Sequence, residues 1–126
     1  MMHLLLDTHV LIWWFSADQH LSKKAISLIT EAEEVYVSSA SIWEATIKKR
    51  LGKLEVDLSL ITTSLEKEGF IELPVRIPHT LQTLELPEIH RDPFDRILIA
   101  QAISEPLRFV TADCSLQKYS DLIELI

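Results

Sequence analysis

Short apolar runs alternate with longer segments of helical spacing along almost the whole chain, and this alternation restricts the fold more than any other feature. Residues 3–6, 35–37, 70–73 and 108–111 are the runs, and residues 122–126 add a candidate edge strand. Helices are expected over 8–15, from a Ser22 cap to about residue 33, and from a Ser41-x-x-Glu44 capping box to about residue 51, where Gly52 follows three basic residues. Further helical pieces are expected over 59–68, 77–86 and 93–104. Strands that alternate with helices imply a sheet covered on both faces. The expected class is therefore α/β, with a mainly parallel central sheet.

The 126 residues suffice for one domain with a real core, taken as 1–126. No apolar run approaches the roughly 20 residues of a membrane span, so no membrane is expected. The start lacks a signal peptide, and the lone Cys114 fits a reducing cytoplasm. Two glycines leave no phosphate-cradling loop, and the five histidines show no zinc spacing. The formal net charge of −7 excludes a passive nucleic-acid coat, which would be basic.

Acids recur where this topology places ligands. Asp7 ends the first run, and Glu44 opens the helix after the second. Asp95 stands in the first turn of the helix that leads into the fourth run, and Asp113 lies two residues beyond that run. In a parallel sheet all four project toward the carboxyl edge, where α/β domains bind ligands. Each alone reads as a helix cap or a dipole partner. Asp92, before Pro93, is the expected N-cap of the last long helix, and it reads equally as a neighbour that influences Asp95. Four carboxylates around one crevice repel one another unless a cation is bound. Such a donor set suits Mg²⁺ or Mn²⁺, and with it the hydrolysis of a phosphodiester.

Leu4-Leu5-Leu6-Asp7-Thr8-His9, Ser41-Ile42-Trp43-Glu44, the segment from Asp92 to Ala102, and Val110-Thr111-Ala112-Asp113 resemble the successive motifs of PIN-domain nucleases. More narrowly, the chain resembles VapC-type toxins of bacterial toxin–antitoxin pairs. The resemblance implies a three-layer α/β/α sandwich. Asp7, Glu44 and Asp95 would be the core catalytic and metal-binding acids, with Asp113 completing the site and Thr111 supporting it by a hydrogen bond. It further implies Mg²⁺- or Mn²⁺-dependent endoribonuclease action on an RNA, tRNA being one candidate. A small antitoxin whose C-terminal segment covers the site, and a homodimer, complete the expectation. The chain departs from the family in His9, where asparagine is common, and the role of His9 is left open.

Other features are weighed against plainer readings. Of the adjacent Trp13 and Trp14, one is expected inside and the other on a partner surface. Lys48, Lys49, Arg50 and Lys53 suit RNA steering, a partner contact or the helix dipole. Arg91 and Arg96 are candidates for binding phosphate or pairing with the acids. Asp18, Glu31, Glu33, Glu34, Asp57, Glu66, Glu68 and Asp121 are expected on solvated faces. His90-Arg91-Asp92 looks like a kinase triplet, but the chain has neither the glycine loop nor the later asparagine. A phosphoacceptor Asp7 would want a second acid where His9 stands. The competing functions are a PIN-type RNA-processing nuclease without an antitoxin and an acidic module that grips a basic peptide.

Overall fold

The computed structural model describes residues 2–89 and 91–126; Met1 and His90 lie outside the described residues. Five strands form one sheet: β1 (His3–Leu6), β2 (Glu34–Ser38), β3 (Phe70–Leu73), β4 (Arg108–Thr111) and β5 (Ile123–Leu125). Their order is β3-β2-β1-β4-β5, and every described pairing is parallel. The helices are α1 (Thr8–Ser16), α2 (Lys23–Glu31), α3 (Ser39–Arg50), α4 (Leu58–Lys67), α5 (Ile77–Gln82) and α6 (Pro93–Ser104). A short 3-10 helix, Cys114–Tyr119, makes the last crossover.

The two-residue period of the strands divides the core in two. Leu4, Leu6 and Val110 point to one side, where they meet Val10 and Leu11 of α1 and Ala25 and Ile29 of α2. Leu5 and Phe109 point to the other, against Leu98, Ile99 and Ala102 of α6 and Leu116 and Tyr119 of the 3-10 helix. Burying one such leucine or phenylalanine stabilises by about 1.5–3 kcal/mol, so both helical layers are held mainly by the sheet. The expected three-layer arrangement is present.

Several element boundaries differ from the sequence reading. Ser22 caps α2 as expected, accepting from the Ala25 amide at 3.1 Å. That helix stops at Glu31 rather than 33, because the Glu33 amide is already committed to the Met2 carbonyl at 2.9 Å. The Ser41-x-x-Glu44 capping box does not form. β2 runs straight into α3, and Ser38 is the cap, accepting from the Ala40 amide at 3.0 Å. Ser41 and Glu44 therefore lie inside the helix, both buried. Asp57, expected on a solvated face, caps α4 by accepting from the Leu60 amide at 3.0 Å. Asp18 accepts from the His20 amide at 2.8 Å and lies 2.6 Å from its Nδ1. The expected helix over 77–86 is α5 followed by a 3-10 turn, Thr83–Glu85. Gly52 ends α3 with φ +73, while the Lys53 amide reaches back to the Lys48 carbonyl at 2.9 Å.

Two buried polar residues seat α5 beside the sheet. Nδ1 of His79 accepts from the Arg76 amide at 3.0 Å, and its Nε2 lies 2.6 Å from Oε2 of Glu105. Gln101 of α6 donates to the Pro74 carbonyl at 3.3 Å, at the end of β3.

Candidate active site

β1 delivers Asp7 to the carboxyl edge and fixes it there. Its amide donates to the Val110 carbonyl at 2.9 Å, which continues the pairing with β4 one residue past the strand. Oδ1 accepts from the Thr8 amide at 2.7 Å and caps α1. Oδ2 accepts from the Thr111 hydroxyl at 2.6 Å. The Thr111 oxygen in turn accepts from the Asp113 amide at 3.1 Å, so one buried hydroxyl joins two of the four acids. Burial pushes the Asp7 carboxyl up from its ordinary value; the hydrogen bond from Thr111, the nearby His9 and the Thr8 amide oppose this, and Glu44 adds to it.

Glu44 lies on the buried side of α3, with 7% of its surface exposed. One protein cation, Lys48, stands among the acids. Its ammonium lies 3.0 Å from Oε2 of Glu44, one helical turn away, and 3.4 Å from Nε2 of His9. The i,i+4 spacing of Glu44 and Lys48 was the available signal.

Asp95 is raised to about 7, by burial first and then by Asp7, Asp92, Glu44 and Asp113. Four other carboxylates, carried on four segments, thus bear on its ionisation. Asp92 caps α6 as expected by accepting from the Phe94 amide at 2.9 Å, and its charge disfavours ionisation of Asp95. Asp113 is exposed and caps the 3-10 helix, accepting from the amide and hydroxyl of Ser115 at 3.0 and 2.7 Å. Among the described residues the acids do not already stand as a tight metal-ligating group of three. Their chemistry nevertheless fits a hard divalent cation, because the donors are carboxylates that act on one another's ionisation, and burial and mutual repulsion make two of them hold protons more tightly than usual.

Arg96 donates to the carbonyls of Pro87 at 2.9 Å and Thr83 at 3.1 Å, so its guanidinium orders the chain before α6. Arg91 lines a neighbouring apolar groove of about 880 Å³ between α3 and α5–α6, with Trp43, Val75 and Phe94. Trp43 is 62% exposed and meets Phe94 edge-on at 5.2 Å. Neither Trp13 nor Trp14 is wholly inside: Trp13 stacks on His20 at 5.5 Å, and Trp14 tilts against Phe70 at 5.9 Å. The first residue of the His90-Arg91-Asp92 triplet lies outside the described residues. The sequence gives no sign of the long-range partners of His79 and Gln101, Glu105 and Pro74, which lie 26 and 27 residues away from them.

A parallel sheet covered on both faces, with carboxylates gathered at its carboxyl edge, defines a three-layer α/β/α domain with an acidic site. Residues 4–122 match the family model of the PIN domain, and the chain belongs to that family. It is similar to Ribonuclease VapC22 of Mycobacterium tuberculosis, at 28% identity over 117 residues, covering 91% of this chain and 90% of that protein. Among solved structures it is similar to VapBC2 from Rickettsia felis bound to a DNA fragment from their promoter. There the TM-score is 0.69 at 14% identity, covering 99% of this chain and 98% of that one. DNA-bound VapBC from Salmonella typhimurium gives 0.65 at 16% identity, covering 100% and 98%. At these identities the two structures speak for the fold.

Proposed function

We propose that the chain is a metal-dependent endoribonuclease and the toxin of a toxin–antitoxin pair. The observation that carries this is the set of acids felt at Asp95: Asp7, Glu44, Asp92 and Asp113 on four different segments. Residues 1–126 act as one nuclease domain. Asp7, Glu44, Asp95 and Asp113 would hold Mg²⁺ or Mn²⁺ through carboxylate oxygens, as hard cations prefer. Such an ion would supply charge for polarising the phosphodiester, activating a water and stabilising the leaving oxygen. The chain's own residues prepare the site. Thr111 holds Oδ2 of Asp7 in place, and the Val110 carbonyl fixes its backbone. Burial keeps bulk water from weakening these contacts. Asp95, whose affinity for a proton is raised in the metal-free protein, would give that proton up when the cation binds, because the ion removes the repulsion among the acids.

The substrate is RNA, with tRNA among the candidates, and the similarity to a protein named as a ribonuclease supports this. The partner is a small antitoxin, as the solved VapBC assemblies suggest by likeness. An acidic site suits a basic C-terminal segment laid across it. The apolar groove beside α3, together with exposed Ile77, Leu81 and Leu84, supports a homodimer. Among the described residues no helix is long and apolar enough to cross a membrane, and we place the protein in the cytoplasm, with its RNA.

The test uses purified protein freed of bound partner, incubated with mixed tRNA and single-stranded RNA. Mg²⁺, Mn²⁺ and EDTA are compared, with Asp7→Asn and Asp95→Asn run alongside. Cutting that needs the metal and disappears in both variants is expected. Equal cutting in EDTA, or by either variant, would sink the proposal.

A further inference from the structure

The last turn of α3 carries Lys48, Lys49 and Arg50, a grouping that suits the helix dipole. Two of these lysines part company. The Lys49 ammonium turns to the Val56 carbonyl, beyond the helix end. Lys48 instead reaches back toward the N-terminus, to Glu44 at 3.0 Å. The dipole therefore does not account for where Lys48 points. The Glu44 carboxylate does, because it is almost wholly buried and its neighbours are acids. A buried carboxylate needs a countercharge, and this ammonium is the one within 4 Å of it among the described residues.

We propose that Lys48 is the resident counter-cation of the acidic site: it neutralises Glu44 in the metal-free protein and must withdraw before Glu44 can ligate a divalent ion. The inference rests on the metal-nuclease reading above and adds a competition that this reading does not contain. The ammonium and the metal seek the same carboxylate and repel each other. Lysine suits the role better than arginine, since a compact charge on a flexible stem can swing aside while a two-pronged guanidinium would hold on. The second contact, to Nε2 of His9 at 3.4 Å, gives the displaced ammonium a nearby resting place. This also gives the residue that departs from the family pattern a position beside the site.

The experiment is calorimetric titration of Mn²⁺ into wild type, Lys48→Met and Lys48→Arg, each freed of metal and partner. Methionine keeps the length and helix preference of the stem and drops the charge. Lys48→Met is expected to bind Mn²⁺ about tenfold more tightly or better, a modest figure for removing a unit charge beside a divalent ion. Lys48→Arg should bind no more tightly than wild type. The metal-free Lys48→Met protein should also melt below wild type, and saturating Mn²⁺ should close that gap. Lys48→Gln should repeat the affinity gain if Lys48→Met proves poorly folded. Equal or weaker Mn²⁺ binding by the folded neutral variants overturns the competition while leaving the metal reading intact. Failure of wild type and variants alike to bind Mn²⁺ overturns both.

Discussion

The Thr111 hydroxyl donates to Oδ2 of Asp7 at 2.6 Å, joining the ends of neighbouring strands that lie 104 residues apart in sequence. The same oxygen accepts from the Asp113 amide. Thr111→Val keeps the shape and removes both bonds. It should destabilise the protein by about 1–3 kcal/mol, the usual cost of leaving buried polar groups unsatisfied. Since this hydrogen bond lowers the Asp7 pKa, its loss should also shift the acid limb of the pH–rate profile upward. Thr111→Ser should recover most of both. Urea unfolding and cleavage rates across pH 5 to 9, chosen to bracket the limb, would check the pair. An unmoved limb would mean that Asp7 ionisation does not govern the rate.

Asp95 makes stability depend on pH in a particular direction. Its carboxyl is raised from 3.8 to about 7 in the folded protein. Between those values the folded state holds the proton more tightly than the unfolded chain does, so the contribution of Asp95 to stability falls as pH rises. Below the unfolded value the contribution is full, and above about 7 it has been lost. Asp95→Asn, which cannot ionise, should gain in melting temperature relative to wild type as pH is raised from 4 to 8, without metal. Mn²⁺ at pH 8 should raise wild type much more than the variant. Parallel melting curves across that range would show that Asp95 titrates normally.

The fold was legible because each level of the sequence agreed with the next. The apolar runs that end at Leu6 and Thr111 carry their acids to one edge whatever the details of the helices between them. Asp92-Pro93 marked the start of α6 correctly, because cap and proline act on the nearest turn. Ser41-x-x-Glu44 misled, because a capping box competes with any earlier cap, and Ser38 sits where β2 ends. Nothing local in the sequence decides between them. Lys48 was legible as a charge but not as a partner. Its i,i+4 spacing from Glu44 is common on exposed helix faces, and only the burial of Glu44 makes the pairing matter. The carbonyl partners of Arg96 were not legible because they lie 9 and 13 residues back, in a turn whose shape the sequence does not announce.

The groove beside α3 makes a prediction about assembly. Trp43 and Ile47, which line it, are 62% and 37% exposed. Ile47→Glu should therefore cost little in monomer stability, within about 0.5 kcal/mol for an exposed position. It should shift sedimentation from dimer toward monomer at micromolar concentration. A wild type that sediments as monomer, or a variant that remains a dimer, would remove the groove from the assembly.

His79 is a structural histidine, in contrast to the exposed His9. It is 2% exposed, accepts from the Arg76 amide through Nδ1, and meets Glu105 through Nε2. Because Nδ1 accepts, the ring proton stands on Nε2 and is directed at the carboxylate. His79→Ala would leave the Arg76 amide unpaired and open a cavity between α5 and α6, two costs that together should reach about 2–4 kcal/mol. His79→Gln can place a carbonyl oxygen near the Arg76 amide and should recover part of the loss. His9→Ala, at an exposed position, should change stability by less than about 0.5 kcal/mol. Urea unfolding of the three variants tests the contrast. If His79→Ala is no less stable than His9→Ala, the buried network contributes nothing to holding α5, and the wall of the groove that α5 forms is free to move.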